Sequence, residues 1–355
     1  MTHRIAASIF LIIGFFPFPV YAVTPVAPVP RTGQDGETLT GVAWPDPRFS
    51  DNGDQTVTDR LTGLSWTRDA NPAGSYKTWQ QALDYVKALN RRKYLGRNDW
   101  RLPGIREMES LVNLEADLAS WLSSQGFRNV QKDDYWTSST YAAYTRCAWS
   151  VGMYSGIAAG RGKGDGACVW PVRDGQPGVT NIPSSGQTAC YDDSGAAIDC
   201  AGTGQDGELR TGAAWPAPRF TENADQTLTD MLTGLVWSKD GKTPGPAACN
   251  PGTRKDGQGA PDHVECLNAN GYLGRSDWRL PNRNELASLV NHGQPNSAAW
   301  LNTQGFSNVQ AGGYWSSSTY VTTPWNAWGV NMHDGAETSF ARKHNINIWP
   351  VRGGQ

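Results

Sequence analysis

Two groups of side chains in this sequence have the types and spacing for chemistry. The first is a run of hard oxygen donors. Asp51, Asn52, Asp54 and Asp59 lie close together, and Asn223, Asp225 and Asp230 recur in a second stretch with Glu222 opposite Asp51. Carboxylate and amide oxygens at such short spacing suit Ca²⁺, the one cofactor the sequence suggests. The same residues also close turns without any ion, because Asp and Asn side chains bond their own backbone two residues on. Gly53 becomes Ala224 in the second stretch and no complete EF-hand loop is present. Both readings stay open.

The second group is aromatic and basic. Tyr144, Arg146, Trp149, Tyr154, Arg161 and Lys163 fall in one late segment, and Trp325, Trp328, His333, Arg342 and Lys343 in another. Aromatic faces stack on the apolar side of sugar rings, while Arg and Lys pair with sulfates or carboxylates. Trp149 and Trp328 correspond to each other, and matched tryptophans at a strand position also read as core. The surrounding motifs hardly change between the two segments, whereas Met153-Tyr154-Ser155 becomes Met332-His333-Asp334. A fixed frame with altered loops points to ligand binding at the loops, with different ligands or unequal affinity.

A catalytic reading finds less support. The serine runs at Ser138-Ser139 and Ser316-Ser317-Ser318 have no histidine at a matching place in both segments: His333 corresponds to Tyr154, and His344 to Asp165. No Ser/His arrangement follows, and the expectation is a protein that is not an enzyme.

The elements that must position these residues come in two copies. Trp44, Trp66, Trp100, Trp136 and Trp170 recur in order as Trp215, Trp237, Trp278, Trp315 and Trp349. A repeat of this length is a duplicated domain. The copies are read at 34–174 and 205–355, with a Gly-, Pro- and Ser-rich linker at 175–204 between them. Each opens with turn residues followed by alternating Thr and Val, a β-hairpin signature. In the first copy Trp79, Ala82, Leu83, Val86 and Leu89 share one helical face. In the second, Gly257, Gly259 and Pro261 interrupt the corresponding helix, leaving Val264 to Leu267. Each copy then runs Asp-Trp-Arg-Leu-Pro into a second helix. Asn282 with Glu285 forms a capping box there, and Gly104 with Glu107 a weaker counterpart. Short strands follow, so each copy is α+β, with one or two helices on short, mostly antiparallel strands.

Residues 1–22 read as a secretory signal: His3 and Arg4, an apolar run from Ile5 to Phe16, and Val20-Tyr21-Ala22 as a cleavage site. An uncleaved anchor is the alternative, but Pro17 and Pro19 break a run that is short for a membrane span. Residues 23–33, with Pro25, Pro28, Pro30 and Gly33, form a Pro-rich extended leader. No later stretch is apolar enough to span a bilayer. A net charge of −2 gives no bias toward nucleic acid. The expected location is the periplasm, the cell surface or the medium.

Export makes disulfides the expected state of the six cysteines. Spacing alone cannot choose the pairing, but the duplication offers a criterion. Cys147 and Cys168 correspond to Asn326 and Asn347, so both are missing from the second copy. Cys266 corresponds to Ala88, and Cys249 lies near an insertion with no cysteine opposite. Pairs absent as a unit predict Cys147–Cys168, Cys249–Cys266 and, in the linker, Cys190–Cys200.

The ordered motifs Asn-Gly-Asp-x-Thr-Val-Thr-Asp, Thr-Gly-Leu-x-Trp, Asp-Trp-Arg-Leu-Pro-x-x-x-Glu, Tyr-Trp-[Thr/Ser]-Ser-Ser and Trp-Pro-Val-Arg resemble the Lcl C-terminal domain family. That family is named for the C-terminal domain of a bacterial collagen-like adhesin. No Gly-X-Y tract is present here, so a collagen-like trimer is not implied. More distantly, the pattern resembles the C-type-lectin-like fold shared with formylglycine-generating enzymes. Those enzymes rely on active-site cysteines, and the second copy has none in its late strands. The resemblance implies two tandem C-type-lectin-like domains and an adhesin-type partner, a glycan, a glycosaminoglycan or another cell-surface ligand. Another envelope protein is the alternative partner.

Overall fold

The computed structural model describes residues 24–32 and 40–353. The secretory signal read at 1–22 lies outside the described residues. In chain order the first copy holds β1 (Phe49–Asp51), β2 (Thr56–Asp59), β3 (Ser65–Thr67), α1 (Trp79–Arg91), α2 (Ile105–Ser110), α3 (Leu118–Ser124), β4 (Asp134–Thr140), β5 (Cys147–Gly152), β6 (Ala158–Gly162) and β7 (Val172–Arg173). A hairpin of β8 (Cys190–Tyr191) and β9 (Ala197–Ile198) and a short α4 (Asp206–Leu209) follow. The second copy repeats the plan with β10 (Phe220–Glu222), β11 (Thr227–Asp230), β12 (Val236–Ser238), α5 (Gly259–Ala269), α6 (Arg283–Ser288), α7 (Ser297–Thr303), β13 (Gly313–Thr319), β14 (Asn326–Asn331), β15 (Glu337–Ala341) and β16 (Val351–Arg352). The α+β class holds, with a third helix per copy that periodicity did not reveal. Among the described residues, no helix is long and apolar enough to cross a membrane.

The helices start where their chemistry requires. Thr78 and Gln81 form a reciprocal capping box on α1, and all five residues of the expected apolar face are buried. Asn282 and Glu285 do the same for α6. At α2 only the Glu107 half exists, bonding the Gly104 N–H at 2.8 Å, because glycine offers no side chain in return. The helix in the second copy is shorter, but it starts before Pro261 and not after it. Proline is tolerated in a first turn, where its missing N–H would have no intrahelical partner.

Each copy has a small antiparallel sheet, β1-β2-β3-β7 or β10-β11-β12-β16. The late strands of both copies merge into a single six-stranded sheet of order β13-β14-β15-β6-β5-β4. The two halves join where Glu337 pairs with Ala158. The cores join as well, since Trp328 of the second copy is buried among the core residues of the first. At this junction Arg106 pairs with Glu109 and Arg283 with Glu337; Glu109, Arg283 and Glu337 are buried and Arg106 nearly so. A cavity of about 80 Å³ lies beside them, walled on its apolar side by Ala27 to Pro30 and by Ile182 and Pro183.

Candidate functional site

The late loops are positioned by this shared sheet. Residues 141–146 join β4 to β5, and residues 320–325 join β13 to β14. Every neighbouring pair in the sheet is antiparallel, so the two loops leave opposite edges. β6 and β15 meet only at their first residues and run apart from there. Gly162 lies opposite Cys147, and Ala341 opposite Asn326, each at the far end of its strand. At about 3.3 Å per residue, the loops begin roughly 26 Å apart along the strands.

The edge formed by the second copy carries Trp325, whose side chain is 71% exposed. Its carbonyl accepts a hydrogen bond from the Arg342 backbone N–H at 2.9 Å. The Arg342 guanidinium bonds the Pro324 carbonyl at 3.3 Å and Thr319 Oγ1 at 3.0 Å. Lys343 beside it is exposed. Exposed Tyr154 comes from the first copy, yet the β5–β6 turn places it at this edge beside Tyr320 and Val321.

The opposite edge carries Tyr144, 67% exposed and stacked on Tyr141 with ring centroids 6.0 Å apart. Tyr141 lies over Gly160, where a Cβ would stand 2.5 Å from its ring. It donates through its hydroxyl to Asp334 of the second copy at 2.7 Å. His333, next to Asp334, is half-buried in the same turn. Arg161 of β6 reaches across β5 to pair with Asp134 of β4.

Three of the expected contact residues are not available to a ligand. Trp149 and Trp328 are buried, ring edges set against His292 at 5.1 Å and Tyr320 at 5.1 Å. Lys163 is buried too. Its ammonium donates to the Tyr191 and Asp192 carbonyls at 2.9 Å and sits 4.1 Å over the Trp79 ring. Burial pulls its pKa down to about 8. Lys163 therefore anchors the β8–β9 hairpin. Arg146 assists by bonding the Ser194 carbonyl at 2.9 Å, though it remains exposed. The two carbonyls and the Trp79 ring replace the water that the Lys163 ammonium loses on burial.

The profile of the Lcl C-terminal domain family matches residues 55–173 and 226–352, which is more than half of the chain. The chain belongs to the Lcl C-terminal domain family. It carries two tandem copies of that domain. The comparison with curated proteins gave no match.

The residues that carry the Lcl C-terminal pattern build the frame. Arg101 of Trp-Arg-Leu-Pro forks onto Glu107 at 2.5 and 2.8 Å, and Arg279 onto Glu285 at 2.7 and 2.7 Å. This bidentate pair locks the extended segment to the helix start. Arg173 and Arg352, which end each copy, pair with Asp99 and Asp277. These clamps were visible as letters in the sequence, but alternation alone does not pair them.

The oxygen-rich turns also belong to this frame. Asp59 is fully buried and accepts from Arg48 at 2.8 and 3.1 Å, from the Leu61 N–H and from Thr62. Asp230 repeats this with Arg219. Both stand at the end of the hairpin away from the turn, since Asp59 pairs with Phe49 and Asp230 with Phe220. They are not part of a shared ion site with the turn residues. In the turns, Asp51 pairs with Arg68, Asp54 with Arg97 and Asp225 with Arg275. Asn52 and Asn223 bond the threonines across the hairpin. The hydrogen bond from Thr56, with help from Arg97, holds the Asp54 carboxyl below its usual range. Among the described residues, no group of three acidic, His or Cys side chains converges as a metal site would require.

Disulfides join Cys190 to Cys200 and Cys249 to Cys266, as the duplication suggests. The third expected bridge is corrected: Cys147 and Cys168 are free. Cys168 bridges Tyr135 on one side of β4, whereas Cys147 begins β5 on the other, opposite Gly162 and beyond the level of Thr140. Val151 faces Tyr135, so Cys147 lies four residues further along β5, about 13 Å, with β4 also between the two sulfurs; this exceeds the reach of a disulfide. Joint absence from the second copy identified a pair of positions but carried no information on distance.

Proposed function

We propose that the chain is an exported, adhesin-like protein that binds an acidic glycan, without catalysis, at the edge carrying Trp325. The observation that carries this reading is the exposed indole of Trp325, whose backbone is tied to Arg342, the neighbour of exposed Lys343. A flat apolar face next to cationic groups suits a sugar ring bearing carboxylate or sulfate. Membership of a family named for an adhesin domain supports it, as do the disulfides, which suit an oxidising compartment. A C-type-lectin-like assignment of each copy belongs to the same reading. Three of the serine hydroxyls make structural bonds: Ser138 to the Pro103 carbonyl, Ser139 to Asp206 and Ser316 to the Trp328 carbonyl.

The stacked Tyr141 and Tyr144 favour a second reading for the opposite edge, an envelope-protein contact. Screening the full chain against immobilised neutral and acidic glycans separates the two. Retention on acidic glycans that fades with added salt is expected. Retention on none of them, with co-purification of a single envelope protein, would replace the glycan reading with the protein one.

A further inference from the structure

The Trp325 edge is not built from one copy. The β5–β6 turn of the first copy reaches it because β6 and β15 pair only at their first residues. Asn113, Leu114 and Tyr154 of the first copy face Tyr320, Val321 and Trp328 of the second around a recess of about 20 Å³. Tyr154 is 54% exposed and Val321 41%, so the recess carries an open apolar rim continuous with the loop that ends in Trp325. Exposed aromatic and aliphatic groups gathered at a concave place mark a contact site.

The turn is fixed to the second copy. Buried Arg283 donates to the Gly156 carbonyl at 3.4 Å, pairs with Glu337 at 3.0 Å and lies 5.2 Å over the Trp328 ring. Gly156 has a φ of +72°, and a Cβ there would meet Val112 at 2.8 Å. Only glycine allows the turn to settle this closely on the core. Tyr154 is therefore presented on a rigid support, which lowers the entropic cost of engaging a ligand. At the opposite edge the corresponding place is occupied: Asp334, in the position of Ser155, takes the Tyr141 hydroxyl.

We infer that Tyr154 of the first copy completes the ligand site of the second, so that the duplicated chain is the binding unit. The occupant is an extended acidic glycan of several rings, running from Trp325 and Lys343 across the 320–325 loop to Tyr154. This rests on the glycan reading above.

Heparin fragments serve as the probe, a disaccharide and an octasaccharide titrated calorimetrically into the full chain. Tyr154→Ala is expected to weaken octasaccharide binding about tenfold and to leave the disaccharide unchanged, while Tyr154→Phe keeps the ring and the affinity. Thermal melts of the variants report whether folding is intact. If Tyr154→Ala binds both fragments like the parent while Trp325→Ala loses both, the shared site is wrong and the glycan reading stands. If neither fragment binds the parent, both fall.

Discussion

Arg342 donates its backbone N–H to the Trp325 carbonyl at 2.9 Å, tying the exposed loop to the end of β15. The Trp325 backbone is thus held while its indole is exposed, and the Arg342 guanidinium spans the same loop through Pro324 and Thr319. Arg342→Ala leaves the backbone bond but removes that span and one positive charge. It should lower stability by about 1 kcal/mol and weaken acidic-glycan binding severalfold. The loss should shrink as ionic strength rises, because exposed charges are screened. Titrations at two salt concentrations, with urea unfolding alongside, check both parts.

The Arg48–Asp59 pair and its twin Arg219–Asp230 are enclosed ion pairs of the frame. Asp59→Asn leaves a buried guanidinium without its counter-charge. A loss of about 3 kcal/mol is expected, in line with the cost of breaking one partner of a buried pair. Added Ca²⁺ should not restore it. Urea denaturation with and without the ion reads both effects.

At the junction of the copies, burial and the nearby Glu337 push the Glu109 carboxyl up to about 8. A carboxyl whose folded pKa lies above its unfolded value keeps its proton better when folded. Its contribution to stability is therefore full at acid pH, below about 4.5, and is lost as pH rises toward 8. Glu109 faces Arg106 and Arg283 as well as Glu337. Glu109→Gln should flatten this part of the profile, so that the parent loses stability relative to the variant between pH 5 and 8. Chemical unfolding across that range provides the comparison.

Much of the frame was legible because it obeys short periods. The face of Trp79, Ala82, Leu83, Val86 and Leu89, the Asn282–Glu285 cap and the two-copy plan all follow from local spacing. The loops were only half legible. Trp325, Tyr144 and Tyr154 are exposed, but Lys163 is interior, because a basic letter does not say which way its stem packs. The sharing of one edge by Tyr154 and Trp325 depends on long-range contacts between the copies, above all the pairing of Ala158 with Glu337 and the Arg283 bond to Gly156. No local pattern encodes that pairing, and a shift of one residue would turn every side chain to the other face.

Free Cys147 and Cys168 lead to a chemical expectation. Burial raises both thiols above their usual pKa, Cys168 to about 12. Thiolate is the reactive form. In the native, unreduced protein at pH 8, half-buried Cys147 should react slowly with a maleimide and buried Cys168 more slowly still. Unfolding in urea without reductant should expose two thiols, and peptide mapping should place them at these positions.

Trp325 and Tyr144 lie on opposite edges, too far apart to share partners, so the effects of replacing them should be independent. Calorimetric titration of a heparin octasaccharide into the parent, Trp325→Ala and Tyr144→Ala tests the role of the Trp325 edge. Trp325→Ala should lose about tenfold or more in affinity with an unchanged melting temperature, and Tyr144→Ala should bind like the parent. Equal affinity in the parent and Trp325→Ala would contradict the assignment.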